Sequence, residues 1–318
     1  MKTFSKIAAL LLIAPLLILP LASCRLFPSL FGKSRETSGE EAQKYLYLAV
    51  GIDDAAENTD VMFTVGYDAE ANRIYAVQLP RDTFFRSGSF QNKLNQFFAA
   101  RRKSGRSRKE ALADLAHALE RLFGIHFNGC FALDTEAFAA TVDAVGGVDI
   151  RLDEPKTLYL AGEKLELAAG ESHLDGRQAE MFVRSRKGYA HGDLDRLDTQ
   201  KIFLSAFLDR VRKGFSLPEM ISAVKILLSE AVTDLELSDV VPFLTLYKNK
   251  LPSAKTEFYT LPGKPLLSPT HLSYYVIERD PAAKAAKHYM FASSEFDPDR
   301  KLKNQSYPGF AEVYGDER

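Results

Sequence analysis

The sequence has no tryptophan, only two cysteines and almost no net charge. Two cysteines, Cys24 and Cys130, allow one disulfide at most, so stability has to come from a packed core. A hydrophobic content of 46% over 318 residues is sufficient for one. With Lys+Arg at 41 and Asp+Glu at 42, no global field draws the chain to nucleic acid, and an anion site has to be built locally. The sequence also lacks a Gly-x-x-x-x-Gly-Lys loop, a Gly-x-Gly-x-x-Gly turn and a Gly-x-Ser-x-Gly elbow. Their absence weighs against nucleotide-dependent kinases, dinucleotide enzymes and serine hydrolases. No internal repeat or low-complexity segment is visible.

At the amino terminus, Lys2 and Lys6 precede an apolar run from Ile7 to Leu19, followed by Leu21-Ala22-Ser23-Cys24. A basic region, an apolar region and small residues before a cysteine read as an export signal over residues 1–24. The last four residues resemble the bacterial lipobox, which implies a lipidated Cys24; an uncleaved membrane helix is the alternative, weakened by Pro15 and Pro20. Both place the rest of the chain outside the cytoplasmic membrane. Residues 25–44 mix Ser, Gly, Lys, Arg and Glu without periodicity and read as a tether. Cys130, in the apolar stretch CFAL, reads as a buried structural thiol.

A globular domain is expected over residues 45–263. YLYLAVGI (45–52), VMFTVGY (61–67) and RIYAVQL (73–79) are apolar runs of strand length, and GVDIRL (147–152) is another strand. Continuous apolar strands are buried on both faces, which predicts a central mixed β-sheet covered by helices on both faces, an α/β or α+β fold. Ser107-Arg108-Lys109-Glu110 has capping-box form before leucines at helical spacing, and Gly124 ends that helix. Further helices are predicted at Thr135–Val145, from Asp175, from about Leu194 to Arg212, and from Ser216. Residues 264–318 are polar and turn-rich and read as a peripheral extension.

Charged residues stand beside apolar elements in three places. Asp53 and Asp54 follow the first strand, and Asp60 opens the second. Arg81-Asp82-Thr83 follows the third, at the carboxyl end where ligands sit in such sheets. The stretch RSRKGYAHGDLDRLDTQ (184–200) gathers Arg184, Arg186 and Arg196; on an extended segment, Arg184 and Arg186 share one face and can clamp an anion. Taken singly, each reads first as a solvated surface charge. His191 has no second ligand at metal spacing and reads as a polar loop residue.

In order, the chain shows LAVGIDD, TDVM, LPRDT, KLNQFF, VDAVGGVDI, LDGRQAEMFVRSRK and GDLDRLDTQ. This set resembles the LytR-CpsA-Psr family, extracytoplasmic transferases that move glycopolymers from a polyprenyl-pyrophosphate carrier onto peptidoglycan. The resemblance implies that Arg81, Arg184, Arg186 and Arg196 bind phosphates, since planar guanidiniums grip phosphate oxygens bidentately. It implies that Asp60 and Asp82 stand at a magnesium site, with Asp82 also activating the acceptor hydroxyl. Asn95 and Asp193 join the substrate contacts, Asp193 by orienting an arginine. A hydrophobic slot for the lipid is implied between sheet and helices, with Phe97, Phe98, Phe123 and Phe182 as candidate lining or ordinary core.

The sequence departs from the family pattern where Asn58-Thr59 replaces an Arg-Ser before Asp60, and where Thr199 replaces a second arginine after Arg196. Both changes lower the phosphate-binding charge. The partners implied are a polyprenyl-diphosphate glycan, a peptidoglycan acceptor and the membrane surface, with no nucleic acid. Two alternatives share the site: a non-catalytic lipoprotein that binds the lipid diphosphate or wall polymer, and a hydrolase in which water replaces the acceptor.

Overall fold

A computed structural model describes residues 44–53, 56–185, 193–214, 225, 227–236, 253–305 and 311–312. The export signal, the tether and the helix expected from Ser216 lie outside the described residues. Among the described residues, no helix is long and apolar enough to cross a membrane.

The first apolar run forms β1 (Lys44–Ile52), the second β2 (Thr59–Asp68) and the third β3 (Arg73–Gln78). They pair antiparallel in chain order, with Tyr47 opposite Val65 and Thr64 opposite Val77. β6 (Gly129–Leu133) lies parallel to β1, and β12 (Lys255–Thr260) parallel to β3. The short β11 (Val232–Thr233) completes the six-stranded mixed sheet in the order β11-β6-β1-β2-β3-β12.

Why these strands read as unbroken apolar runs is visible in β1. Tyr45, Tyr47 and Ala49 enter one core cluster, while Leu46, Leu48, Val50 and Ile52 enter the other. Successive side chains point to opposite faces, so a strand covered on both sides has no polar position to alternate with. Helices α1 (Asn95–Lys103), α2 (Arg108–Phe123) and α6 (Arg279–Tyr289) contribute to the core on the Leu48 side. On the Tyr47 side lie α3 (Thr135–Ala144), α4 (Gly176–Arg184) and α5 (Asp193–Gly214). The fold is the expected central mixed sheet between two helical layers.

The helix ends follow their local sequence. Ser107 and Glu110 make the reciprocal capping box that opens α2, and Gly124 closes it with φ 63. Asp175 and Gln178 make the same box at α4. A Cβ on Gly176 would come within 2.1 Å of the Ala139 carbonyl oxygen, so only glycine lets α4 start against α3.

Three short ribbons decorate the sheet: β4 (Phe84–Ser87) with β5 (Phe90–Lys93), β7 (Val148–Leu152) with β10 (Gly170–Leu174), and β8 (Lys156–Leu160) with β9 (Glu163–Leu167). The strand expected at 147–152 is thus β7, paired outside the central sheet. The segment after residue 263, read from sequence as peripheral, is partly core. From the end of β14 (Ser273–Ile277), which pairs with β13 (Gly263–Leu267), Ile277, Ala282, Ala286, Met290, Phe296 and Leu302 all join the core on the Leu48 side of the sheet. Its polar residues hide a sparse apolar spacing that closes this core. Cys130 is 4% exposed, and burial first, then the neighbouring Asp234 carboxylate, push its thiol far above the ordinary range.

Candidate functional site

The carboxyl ends of β1 and β3 and the start of β2 bring their charges together. β2 begins where β1 ends, with Thr59 opposite Ile52 and the Asp53 amide donating to the Asn58 carbonyl at 2.8 Å. This places Asp53 and Asp60 along one rim. Arg81, one turn past β3, reaches the rim through Nη1, 3.0 Å from Asp60 Oδ1; both side chains are 14% exposed. From the opposite side, Arg184 at the end of α4 sets Nη2 3.4 Å from Asp53 Oδ1 and Nη1 2.6 Å from Glu180 Oε1. Its Nη1 also donates to Thr135 Oγ1 at 3.0 Å.

The loop carrying Asp53 and Asp60 is braced from behind. Glu57, in left-handed conformation with φ 52, accepts from Arg102 Nε at 2.7 Å and Arg108 Nε at 3.1 Å. Arg108 Nη1 then donates to Asp134 Oδ2 at 3.2 Å, and Asp134 Oδ1 caps α3 by accepting from the Ala137 amide at 3.0 Å. Burial alone would raise the Glu57 carboxyl, but the hydrogen bonds from the two arginines outweigh it and hold it below the usual carboxylate range.

Two hollows meet at this rim. The first, about 100 Å³, runs between the sheet and α3, α4 and α5, and Phe63, Phe131, Phe138, Phe203 and Phe207 line it. The second, about 350 Å³, opens toward the β8–β9 hairpin and is lined by Tyr159, Leu160, Ala161 and Gly162. Asp53, Asp60 and Arg184 line both. An apolar slot between sheet and helices is therefore present, and the four phenylalanines named as candidate lining or core are core. Phe97, Phe98 and Phe123 pack beneath the opposite face of the sheet, and Phe182 is fully buried in the core outside the slot.

Of the expected site residues, Asp60, Arg81 and Arg184 converge. Asp82 stands beside them with Oδ1 3.7 Å from Arg81 Nε and Oδ2 3.2 Å from Lys93 Nζ, and lines neither hollow. Asn95 works through its backbone: its amide donates to the Arg81 carbonyl at 3.0 Å, and its carbonyl accepts from Thr59 Oγ1 at 3.3 Å. It holds the Arg81 turn against the start of β2. Arg186 and the side chains of Asp193 and Arg196 lie outside the described residues, as do His191 and Cys24. Thr199, at the position of the missing arginine, is 1% exposed.

The sequence marks Asp53 as one of the charges beside the strand ends but gives it no role, and Glu180 and Thr135 are not among the expected site residues. Asp53 directly follows β1, and Glu180 stands one helical turn before Arg184. Among the described residues, no group of three or more His, Cys, Asp and Glu could hold a metal ion. The hard oxygen donors on the shared rim are Asp53 and Asp60. Two carboxylates suit magnesium, which keeps waters and takes further oxygens from phosphates.

The arrangement is a covered sheet whose strand ends set carboxylates and guanidiniums between an apolar slot and an open hollow, a geometry able to take an ionic ligand with one apolar arm. The chain belongs to the LytR_cpsA_psr family, whose sequence model matches residues 32–290. It is 26% identical over 233 residues to the cell wall biosynthesis protein LcpA of Corynebacterium glutamicum, covering 66% of this chain and 44% of that protein. It is 22% identical over 237 residues to the polyisoprenyl-teichoic acid–peptidoglycan teichoic acid transferase TagV of Bacillus subtilis, covering 72% of this chain and 59% of that protein. The chain thus spans about half the length of these relatives. The crystal structure of B. subtilis TagV superposes with a TM-score of 0.65 at 19% identity, covering 83% of this chain and 98% of that chain. TagT bound to LIIa-WTA superposes with a TM-score of 0.62 at 18% identity, covering 85% and 95%.

Proposed function

We propose that this protein is an extracytoplasmic transferase that moves a glycopolymer from a polyprenyl-diphosphate carrier to a peptidoglycan hydroxyl. The observation that carries the proposal is the shared rim: Asp53, Asp60 and Arg184 line both the phenylalanine slot and the open hollow. A lipid-linked glycan has these parts in the same order, an apolar tail, a diphosphate and a sugar. The names of the relatives, transferases acting between a polyisoprenyl-linked polymer and peptidoglycan, support the same reading.

In this reading Arg81 and Arg184 hold the diphosphate oxygens, and Glu180, Thr135 and Asp60 fix the guanidiniums before the ligand arrives. Arg186 and Arg196 add positive charge from the stretch that follows α4. Asp53 and Asp60 would hold a magnesium ion, which would neutralise phosphate charge there. Asp82, 3.7 Å from Arg81 Nε, orients that arginine in this reading, and Asp53 takes the place beside Asp60 that the family resemblance gives to Asp82. The acceptor hydroxyl oxygen forms a bond to the phosphorus next to the glycan, and its proton passes to a rim carboxylate. The bond to the bridging oxygen breaks and polyprenyl phosphate leaves. An anchor at the amino terminus, by lipid on Cys24 or by a helix, keeps the rim near a membrane-borne substrate.

The test combines purified protein, magnesium, a polyprenyl-diphosphate glycan and peptidoglycan fragments. Glycan joined to the fragment by a phosphodiester is the expected product, and Arg81→Ala should abolish it. Glycan phosphate released into solution would instead identify a hydrolase, and binding without turnover a carrier or scaffold.

A further inference from the structure

The open hollow has a wall that the diphosphate chemistry does not use. β8 and β9 join through a two-residue turn in which Ala161 and Gly162 both have positive φ, 50 and 89, as tight hairpins of this kind require. The hairpin projects Tyr159, 43% exposed; among the described residues only Leu272 is another large apolar side chain so exposed. Tyr159 and the turn line the same hollow as Asp53, Asp60 and Arg184.

The position of Tyr159 is held from within. The Ser185 hydroxyl accepts from the Tyr159 amide and donates to the Tyr159 carbonyl, each at 3.2 Å, and Ser185 is fully buried. Ser185 follows Arg184 directly and its amide closes α4 on Met181 at 3.0 Å. One residue step therefore sets the spacing between the guanidinium and the aromatic ring, although they belong to different elements.

We infer that Tyr159 is a sugar-binding platform, and that the hollow it lines takes the first sugar of the donor, the one bonded to the diphosphate. This rests on the diphosphate reading of the rim. A pyranose ring offers an apolar face of C–H groups with slight positive charge and an edge of hydroxyls. The negative face of an exposed aromatic ring suits the first, and carboxylates and backbone carbonyls suit the second. With the tail in the phenylalanine slot and the phosphates at the rim, the sugar is the part that extends toward the hairpin.

The experiment uses the full chain and two probes, farnesyl diphosphate and farnesyl diphosphate carrying N-acetylglucosamine, with binding measured by calorimetry. The sugar-bearing probe should bind the unaltered protein about 3- to 10-fold more tightly. Tyr159→Ala should erase that increment while leaving the sugar-free probe unchanged, and Tyr159→Phe should keep it, since the ring face is retained. Because the chain has no tryptophan, Tyr159→Trp supplies a single reporter, whose emission should respond to the sugar-bearing probe alone. Equal binding of both probes to the unaltered protein, or equal weakening of both in Tyr159→Ala, overturns the platform and leaves the diphosphate site standing. Binding of neither probe overturns the diphosphate reading, and the platform with it.

Discussion

Glu180 Oε1 stands 2.6 Å from Arg184 Nη1, one helical turn away on α4, while Arg177 holds the other oxygen of the same carboxylate. Glu180 is 4% exposed, so its carboxyl group is buried between two guanidiniums. It fixes the direction in which Arg184 presents its remaining nitrogen to Asp53.

Replacing Glu180 tests that relationship. Glu180→Gln keeps an acceptor but removes the charge, and affinity for a polyprenyl diphosphate should fall with little loss of fold. Glu180→Ala leaves Arg184 without its anchor and should also lower stability by about 1–3 kcal/mol, read from the urea midpoint. Unchanged affinity in both variants would show that Arg184 needs no such support.

Glu57 gives the chain an acid-dependent brace. Its folded carboxyl titrates below its unfolded value, so its contribution is complete above the unfolded value of about 4.3 and is lost as pH falls through the folded one. Unfolding midpoints measured from pH 6 down to pH 3 should fall less steeply for Glu57→Gln than for the unaltered chain. The variant should be the less stable of the two at pH 6, with the difference closing in acid.

Much of this architecture was legible in the sequence, and what was not has a geometric cause. β1, β2 and β3 are apolar at nearly every position because both faces are covered, and the α2 ends carry their own capping box and glycine. The β8–β9 hairpin escaped notice since its exposed strands alternate with charges and bury few residues. The sequence implies the slot but does not identify the phenylalanines that line it. Periodicity marks Phe97, Phe98 and Phe123 as inward-facing, yet carries no information on which side of a doubly covered sheet their helices lie. Asp82 is paired with Asp60 by the family resemblance; the register of Thr59 opposite Ile52 is what brings Asp53 near Asp60 as well.

The slot can be filled from α3. Thr141 is 4% exposed, lines the hollow, and donates its hydroxyl to the Ala137 carbonyl within its own helix. Thr141→Phe places a ring in a space of about 100 Å³. Overpacking should cost about 1–3 kcal/mol, while binding of long polyprenyl diphosphates falls far more than binding of sugar phosphates without a tail. Parallel loss for both ligand types would detach the slot from lipid recognition.

Magnesium titrations separate the two candidate metal pairs, Asp53 with Asp60 and Asp60 with Asp82. If Asp53 and Asp60 hold magnesium, Asp53→Ala should raise the magnesium concentration needed for half-maximal transfer by tenfold or more on the order of one lost charge-assisted ligand. Asp82→Ala should leave that concentration nearly unchanged and lower the maximal rate, since its link to the rim runs through Arg81 at 3.7 Å. Magnesium titrations of transfer activity in the two variants read these outcomes directly. A shift in magnesium requirement for Asp82→Ala and none for Asp53→Ala would return the metal to the pair Asp60 and Asp82, and would make Asp53 a partner of Arg184 alone.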